Sequence, residues 1–141
     1  MTSSHRPASS AIVHHDGRLL LVKRSKPPAE NLYAFPGGRG EEGETAEETA
    51  LRELFEETGL TGTNPRLFAT YVLYPDPGGP DEHHFSLSVF MVDVKDNPMA
   101  AEARSDASEL GWYTLHDILT LPAPPSVIDC VERLVKSSEE A

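Results

Sequence analysis

One helix in this chain has both its start and its end fixed by local chemistry, and it constrains how the flanking segments can pack. Thr45 can cap the first turn, and Glu48, three residues later, completes a capping box. Gly59 supplies a left-handed stop, so the helix is predicted from Thr45 to Thr58. Three residues at helical spacing predict the apolar stripe that it buries: Leu51, Leu54 and Phe55.

Short strand patterns on both sides of this helix predict a mixed α/β domain. Apolar runs at 11–13 and 18–22 are joined through Asp16-Gly17, a preferred two-residue hairpin turn. Further extended segments are expected at 32–35, 66–74, 85–94 and 110–114. A closing amphipathic helix is expected around Val127, Ile128, Val131, Leu134 and Val135.

Length and charge exclude several classes of protein. The 141 residues suit one domain, predicted at 9–141 after a polar leader at 1–8. A net charge of −11 argues against a nucleic-acid binder, which needs a basic surface. No apolar run approaches the ~18 residues that span a bilayer, and no secretory signal is evident, so a cytoplasmic location is expected. The lone Cys130 excludes an internal disulfide.

The end of the predicted helix carries an unfavourable cluster of charge. Glu53, Glu56 and Glu57 are spaced i, i+3 and i+4, so they share one face. Like charges at this spacing destabilise a helix, and its negative C-terminal end makes this worse. A segment that breaks local rules is where function is expected. A hard divalent cation, Mg²⁺ or Mn²⁺, would resolve the conflict; the alternative is an ordinary solvated acidic face.

The segment from Gly38 to Leu60 resembles the Nudix box. That pattern is G-x5-E-x7-R-E-U-x-E-E-x-G-U, with U a bulky aliphatic residue, and all nine defined positions match. The resemblance extends more loosely to Phe35-Pro36-Gly37 before the box and to Gly111-Trp112-Tyr113 near the end of the chain. It implies an α/β/α sandwich around a mixed sheet. It also implies hydrolysis of a nucleoside diphosphate linked to another group, by attack of water on phosphorus with Mg²⁺ or Mn²⁺.

The resemblance also implies roles for single residues. Four positions correspond to metal ligands: Glu53, Glu56, Glu57 and the carbonyl of Gly38. Arg52 would orient the carboxylates, and Glu44 would support them indirectly. The general base stays open between three residues: Glu53 is ranked first, then Glu82, then Glu109.

Substrate contacts are predicted around the box. Arg24 and Arg39 are candidates for binding phosphate, and Tyr33 and Phe35 for flanking a nucleobase. Pro75 lies fifteen residues beyond the box, and a proline at about that distance resembles the mark of ADP-ribose pyrophosphatases. The expected partner is thus a small nucleotide, most simply ADP-ribose. The alternatives are (oxidised) nucleoside triphosphates or a catalytically silent nucleotide-binding regulator, and a homodimer is left open.

Overall fold

The computed structural model describes residues 6–26, 30–74 and 84–140. The strands are β1 (Arg6–Ile12), β2 (His14–His15), β3 (Arg18–Arg24), β4 (Tyr33–Ala34), β5 (Gly37–Arg39), β6 (Gly62–Leu73), β7 (Phe85–Val94) and β8 (Ala107–Thr114). The helices are α1 (Ala46–Thr58), α2 (Leu115–Ile118) and α3 (Pro125–Glu140), and a 3₁₀ turn covers Pro98–Ala100.

The strands form two sheets. The first has the order β5-β1-β7-β6, in which β1 and β7 run parallel and the other neighbours antiparallel. In the second, β3 pairs with β2, β4 and β8. The predicted hairpin is confirmed: Asp16 and Gly17 have φ values of 53° and 77°, the left-handed geometry that a two-residue turn needs.

Side-chain alternation along the strands creates two hydrophobic cores, one on each face. The core against α1 contains Ala11, Val13, Leu20, Ala50, Leu54, Leu60, Phe90 and Val92. The core against α2 and α3 contains Ile12, Leu19, Leu21, Phe35, Ala69, Val89, Ile118, Val127, Cys130 and Val131. The two cores arise because successive strand residues point to opposite faces. Helix α1 covers one face, and α2 and α3 cover the other. The predicted α/β/α sandwich with a mixed sheet is confirmed.

Two predicted boundaries are corrected by long-range pairing. Strand β1 begins at Arg6, so residues 6–8 are not part of a loose leader: they pair in parallel with the start of β7 at Phe85. Strand β6 begins at Gly62, earlier than expected, because the register shifts between Thr63 and Arg66 and hides the pattern.

Helix α1 confirms its predicted ends and two of the three residues of its predicted apolar stripe: Leu54 is buried, and Leu51 packs partly against the same core. The capping box of Thr45 and Glu48 is formed, and Gly59 has φ 80°. Phe55, however, is 52% exposed. Besides Leu54, the buried face includes Thr49, Ala50, Glu57 and Thr58. One of the three clustered carboxylates therefore lies on the packed side of the helix.

The closing helix α3 is also confirmed, with Val127 and Val131 buried. Within 6–26, 30–74 and 84–140, no helix combines the length and the apolar character that crossing a membrane requires.

Candidate active site

Two glycines bring strand β5 against the acidic turn of α1. The backbone N–H of Gly37 donates a 3.0 Å hydrogen bond to Oε1 of Glu57. A Cβ atom at Gly38 would collide with the carboxylate of Glu53. A side chain at Gly37 would also meet the Ser9 carbonyl oxygen, 2.5 Å from the Cβ position. Glycine at position 38 thus lets the Glu53 carboxylate reach this backbone, whereas glycine at position 37 lets β5 lie close to β1.

Arg52 joins the turn to the preceding loop. Its Nε donates to Glu44 Oε2 at 2.6 Å, its Nη1 to Glu56 Oε1 at 2.7 Å, and its Nη2 to the carbonyl of Arg39 at 2.9 Å. Glu44 also accepts from the hydroxyl of Thr49 at 2.7 Å. A planar guanidinium suits such divergent bonds, so the geometry supports the orienting task predicted for Arg52.

The carboxyl groups differ in electrostatics although they are close in sequence. Hydrogen bonding to Arg52 lowers the pKa of Glu44 to about 2. Burial is the main cause that raises the pKa of Glu53 to about 8, and hydrogen bonding to Glu56 and the charge of Glu57 add to it. Burial also raises the pKa of Glu57 to about 7, against the hydrogen bond from Gly37. Without a cation, this turn therefore favours protonated carboxyls.

The donor set fits a hard divalent cation. It offers carboxylate oxygens beside the backbone carbonyl oxygens of β5, and Mg²⁺ and Mn²⁺ prefer oxygen ligands. Among the residues that the structure describes, no three acidic, histidine or cysteine side chains are already arranged around one point. Glu57 instead bonds to Gly37 and Glu56 to Arg52. Two observations therefore support a cation here. The side chains of the turn offer oxygen ligands, and the missing side chain of Gly38 leaves room for the Glu53 carboxylate beside the backbone of β5.

Two charged residues outside the box act on the same turn. The charge of Arg24, at the end of β3, lowers the pKa of Glu57, whereas that of Asp106 raises it. Asp106 lies in the turn before β8, where Lys26 Nζ approaches its Oδ1 at 3.2 Å. Sequence reasoning selected Arg24 but missed Asp106. The only available signal was an acidic residue before a predicted strand, which Glu109 shared.

The remaining substrate candidates differ in their surroundings. The guanidinium of Arg39 lies 5.0 Å from the centre of the Phe85 ring. Phe35 is 5% exposed and belongs to the core, so it is not available to stack on a base. Tyr33 is half-buried and packs edge-on against Tyr113, with ring centres 5.8 Å apart. Of the two aromatic candidates, Tyr33 keeps exposed surface.

Of the two late acidic candidates, Glu109 is the one that lies within the described residues, and its contacts are with β3. Glu109 forms an ion pair with Lys23 at 3.3 Å. On β8, Leu110 and Trp112 point toward the core against α1. Because neighbouring strand residues point to opposite faces, Glu109 lies on the other face of the sheet. Glu82 and Pro75 lie outside the described residues.

A sequence model of the NUDIX domain matches residues 4–134. The chain belongs to the Nudix family. The family membership predicted from the segment Gly38 to Leu60 is confirmed, and Gly38, Arg52 and the acidic turn are positions of that motif.

Relatives of this Nudix domain have more than one named activity. It is 34% identical to an ADP-ribose pyrophosphatase of Methanocaldococcus jannaschii over 111 residues, which cover 79% of this chain and 63% of that protein. It is 42% identical over 73 residues to a putative 8-oxo-dGTP diphosphatase of Bacillus subtilis, covering 52% of this chain and 45% of that protein. The chain therefore spans less than two thirds of either relative.

Solved structures agree with the fold. A MutT NUDIX hydrolase from Burkholderia pseudomallei superimposes with a TM-score of 0.77 at 25% identity, over 90% of this chain and 95% of that one.

Proposed function

We propose that this Nudix domain is a divalent-metal-dependent pyrophosphohydrolase that cleaves ADP-ribose to AMP and ribose 5-phosphate. The observation that carries the proposal is the turn of Glu53, Glu56 and Glu57, folded against Gly37-Gly38 and braced by Arg52. A merely solvated acidic face would need neither the glycines nor the arginine.

The turn is the proposed metal site. The three glutamates and the carbonyl of Gly38 would hold Mg²⁺ or Mn²⁺, which when bound screens the diphosphate charge and lowers the pKa of the attacking water. Gly37 fixes Glu57 through its N–H, and Arg52 fixes Glu56. These contacts orient two of the carboxylates before any ligand arrives, which reduces the ordering that binding requires.

Glu53 is the proposed general base. Water oxygen attacks one phosphorus of the diphosphate, its proton passes to the Glu53 carboxylate, and the bond from that phosphorus to the bridging oxygen breaks. Glu53 is favoured because it lies in the turn itself, whereas Glu109 is paired with Lys23 on the other face of the sheet. Glu82 remains the alternative base.

ADP-ribose is proposed as the substrate because the Methanocaldococcus jannaschii relative bears that name and because Pro75 stands where such enzymes place a proline. Arg24 and Arg39 are proposed to contact the diphosphate, and Tyr33 the base. The net charge of −11 supports action on a small nucleotide rather than a nucleic acid, and a cytoplasmic location is part of the proposal. The proposal holds for a monomer or a homodimer.

Steady-state kinetics with a nucleotide panel tests this function. ADP-ribose, dGTP, 8-oxo-dGTP and diadenosine polyphosphates are each supplied with Mg²⁺ and, separately, with a chelator. We expect Mg²⁺-dependent cleavage with the highest kcat/KM for ADP-ribose, and AMP and ribose 5-phosphate as products. Activity that persists in the chelator would contradict the metal dependence.

A second candidate is pyrophosphohydrolysis of an oxidised nucleoside triphosphate. The 42% identity to the putative 8-oxo-dGTP diphosphatase of Bacillus subtilis favours it. A clear preference for 8-oxo-dGTP in the same panel would select this candidate and leave the metal chemistry unchanged. The third alternative, a silent regulator, is disfavoured because every glutamate of the box is present.

A further inference from the structure

Helix α1 ends without a basic residue of its own. Its last turn contains none, although Glu53, Glu56 and Glu57 lie in the last two turns, near the end where the helix dipole favours positive charge. Arg104 comes to this end from a distant part of the chain, and its Nη2 also lies 3.8 Å from Oε2 of the exposed Glu102. Its guanidinium lies against Gly59, and a Cβ atom built there would be 2.8 Å from Cζ of Arg104.

The backbone around Arg104 completes the end of the helix. The N–H of Arg104 donates to the carbonyl of Glu57 at 2.9 Å, and the N–H of Glu102 donates to that of Thr58 at 3.0 Å. The last carbonyls of a helix have no partner within the helix. Residues 102–107, hereafter the strap, therefore hold the backbone of the acidic turn directly.

The other end of the strap is fixed to β3. The N–H of Ala107 donates to the carbonyl of Arg104 at 3.0 Å, which closes a turn. The carbonyl of Asp106 accepts from the N–H of Ser25 at 2.9 Å and from its hydroxyl at 2.7 Å. Ser25 follows Arg24, so the strap connects the acidic turn with the strand end that carries a proposed phosphate contact.

We propose that Arg104 is a positioning residue that holds the Glu56–Glu57 turn in its metal-binding arrangement. The inference rests on the proposed function of that turn. Gly59 then matters for two reasons. Its φ of 80° ends the helix, and the absence of a side chain leaves space for the guanidinium of Arg104. Arg104 offsets the negative end of α1, so the last turn keeps its helical geometry despite three like charges.

A matched pair of variants tests this role. Arg104→Gln removes one guanidinium whose side chain is 50% exposed. Arg133→Gln removes another that is 53% exposed, on α3, where its partner is Asp129. Mg²⁺ and Mn²⁺ binding to the metal-free proteins is measured by calorimetry, and thermal unfolding is recorded in parallel.

We expect Arg104→Gln to weaken Mg²⁺ binding by a factor of about two to five, and to raise by the same factor the Mg²⁺ concentration that gives half-maximal hydrolysis. The kcat at saturating Mg²⁺ should stay near that of the parent, since Arg104 touches no reacting group. Arg133→Gln should leave metal binding unchanged even where it lowers the melting temperature. Arg104→Lys keeps the charge without the planar group and should lie between the parent and Arg104→Gln.

Metal binding by Arg104→Gln that equals or exceeds that of the parent overturns the inference, as does an equal loss in Arg133→Gln. If Arg104→Gln does not fold, the comparison is made with Arg104→Met, which keeps an unbranched side chain without the charge, and parental affinity in that variant counts against the role. If the parent binds metal but hydrolyses no nucleotide, the proposed function fails while the calorimetric comparison still decides on Arg104. A parent that binds no metal overturns both.

Discussion

The backbone N–H of Gly37 donates a 3.0 Å hydrogen bond to the Glu57 carboxylate, across the contact between β5 and α1. The bond explains how a carboxylate only 4% exposed is tolerated on the packed face of a helix. It also fixes one oxygen of Glu57 and leaves the other for a ligand. The fold alone thus orients the Glu57 carboxylate against the backbone of β5.

Replacing Glu57 tests the metal site. Glu57→Gln should retain the fold, because the amide oxygen can still accept from Gly37, while activity falls by orders of magnitude with the lost charge. Glu47→Gln, at an exposed position in the first turn of α1, is the control and should be fully active. Hydrolysis rates and circular dichroism of both variants check this. Parental rates in Glu57→Gln would remove Glu57 from the site.

The choice of general base is tested by three variants. Glu53→Gln should reduce the rate about 10²- to 10⁴-fold, the usual effect of removing a general base. Glu109→Gln should change it little, since it breaks only an ion pair with Lys23 in which the Glu109 side chain is 60% exposed. A collapse of activity in Glu82→Gln beside a near-normal Glu53→Gln would transfer the role to Glu82. Single-turnover rates across a pH series measure the difference.

The features that were predictable from sequence are those whose signals lie within one element. Thr45, Glu48 and Gly59 determine the ends of α1 through bonds to near neighbours, and Asp16-Gly17 determines its turn in the same way. The box likewise places its glutamates on one turn. Each of these depends on spacing alone.

The features that were missed depend on partners distant in sequence. Nothing local shows that Arg6 starts a strand, because its partner is Phe85 on β7. The buried face of α1 is set by the sheet beneath it, which leaves Phe55 exposed and Glu57 covered. Arg104 reaches the end of α1 only through tertiary packing.

The close approach of β5 to α1 predicts a specific glycine requirement. Gly38→Ala should displace the Glu53 carboxylate and sharply reduce activity, since a Cβ there overlaps that group. Gly43→Asn is the control, because Gly43 has φ 81° with open space around it, and asparagine tolerates that conformation. Kinetics and thermal unfolding of the two variants measure the effect. Full activity in Gly38→Ala would show that the overlap is relieved without consequence for the chemistry.

The raised pKa values predict how the metal-free protein responds to pH. The pKa is about 8 for Glu53 and about 7 for Glu57, against an ordinary value of 4.5, so the folded state holds these protons more tightly than the unfolded state. Their stabilising effect is complete below pH 4.5 and is lost as pH rises through 7 to 8. The melting temperature without metal should therefore fall over this range.

Mg²⁺ should reverse that fall, because it binds the deprotonated carboxylates and so stabilises the folded state more at higher pH. Thermal unfolding at about pH 6 and about pH 8.5, with Mg²⁺ and with a chelator, measures both effects. Glu57→Gln, which cannot titrate at that position, should show a smaller fall without metal and a smaller gain with it. Glu44 acts in the opposite sense: its pKa of about 2 contributes stability above pH 4.5 that is lost only as pH falls toward 2, so it does not interfere. A metal-free melting temperature that is flat or rising from about pH 6 to about pH 8.5 would contradict the buried, self-repelling turn on which the metal site is argued.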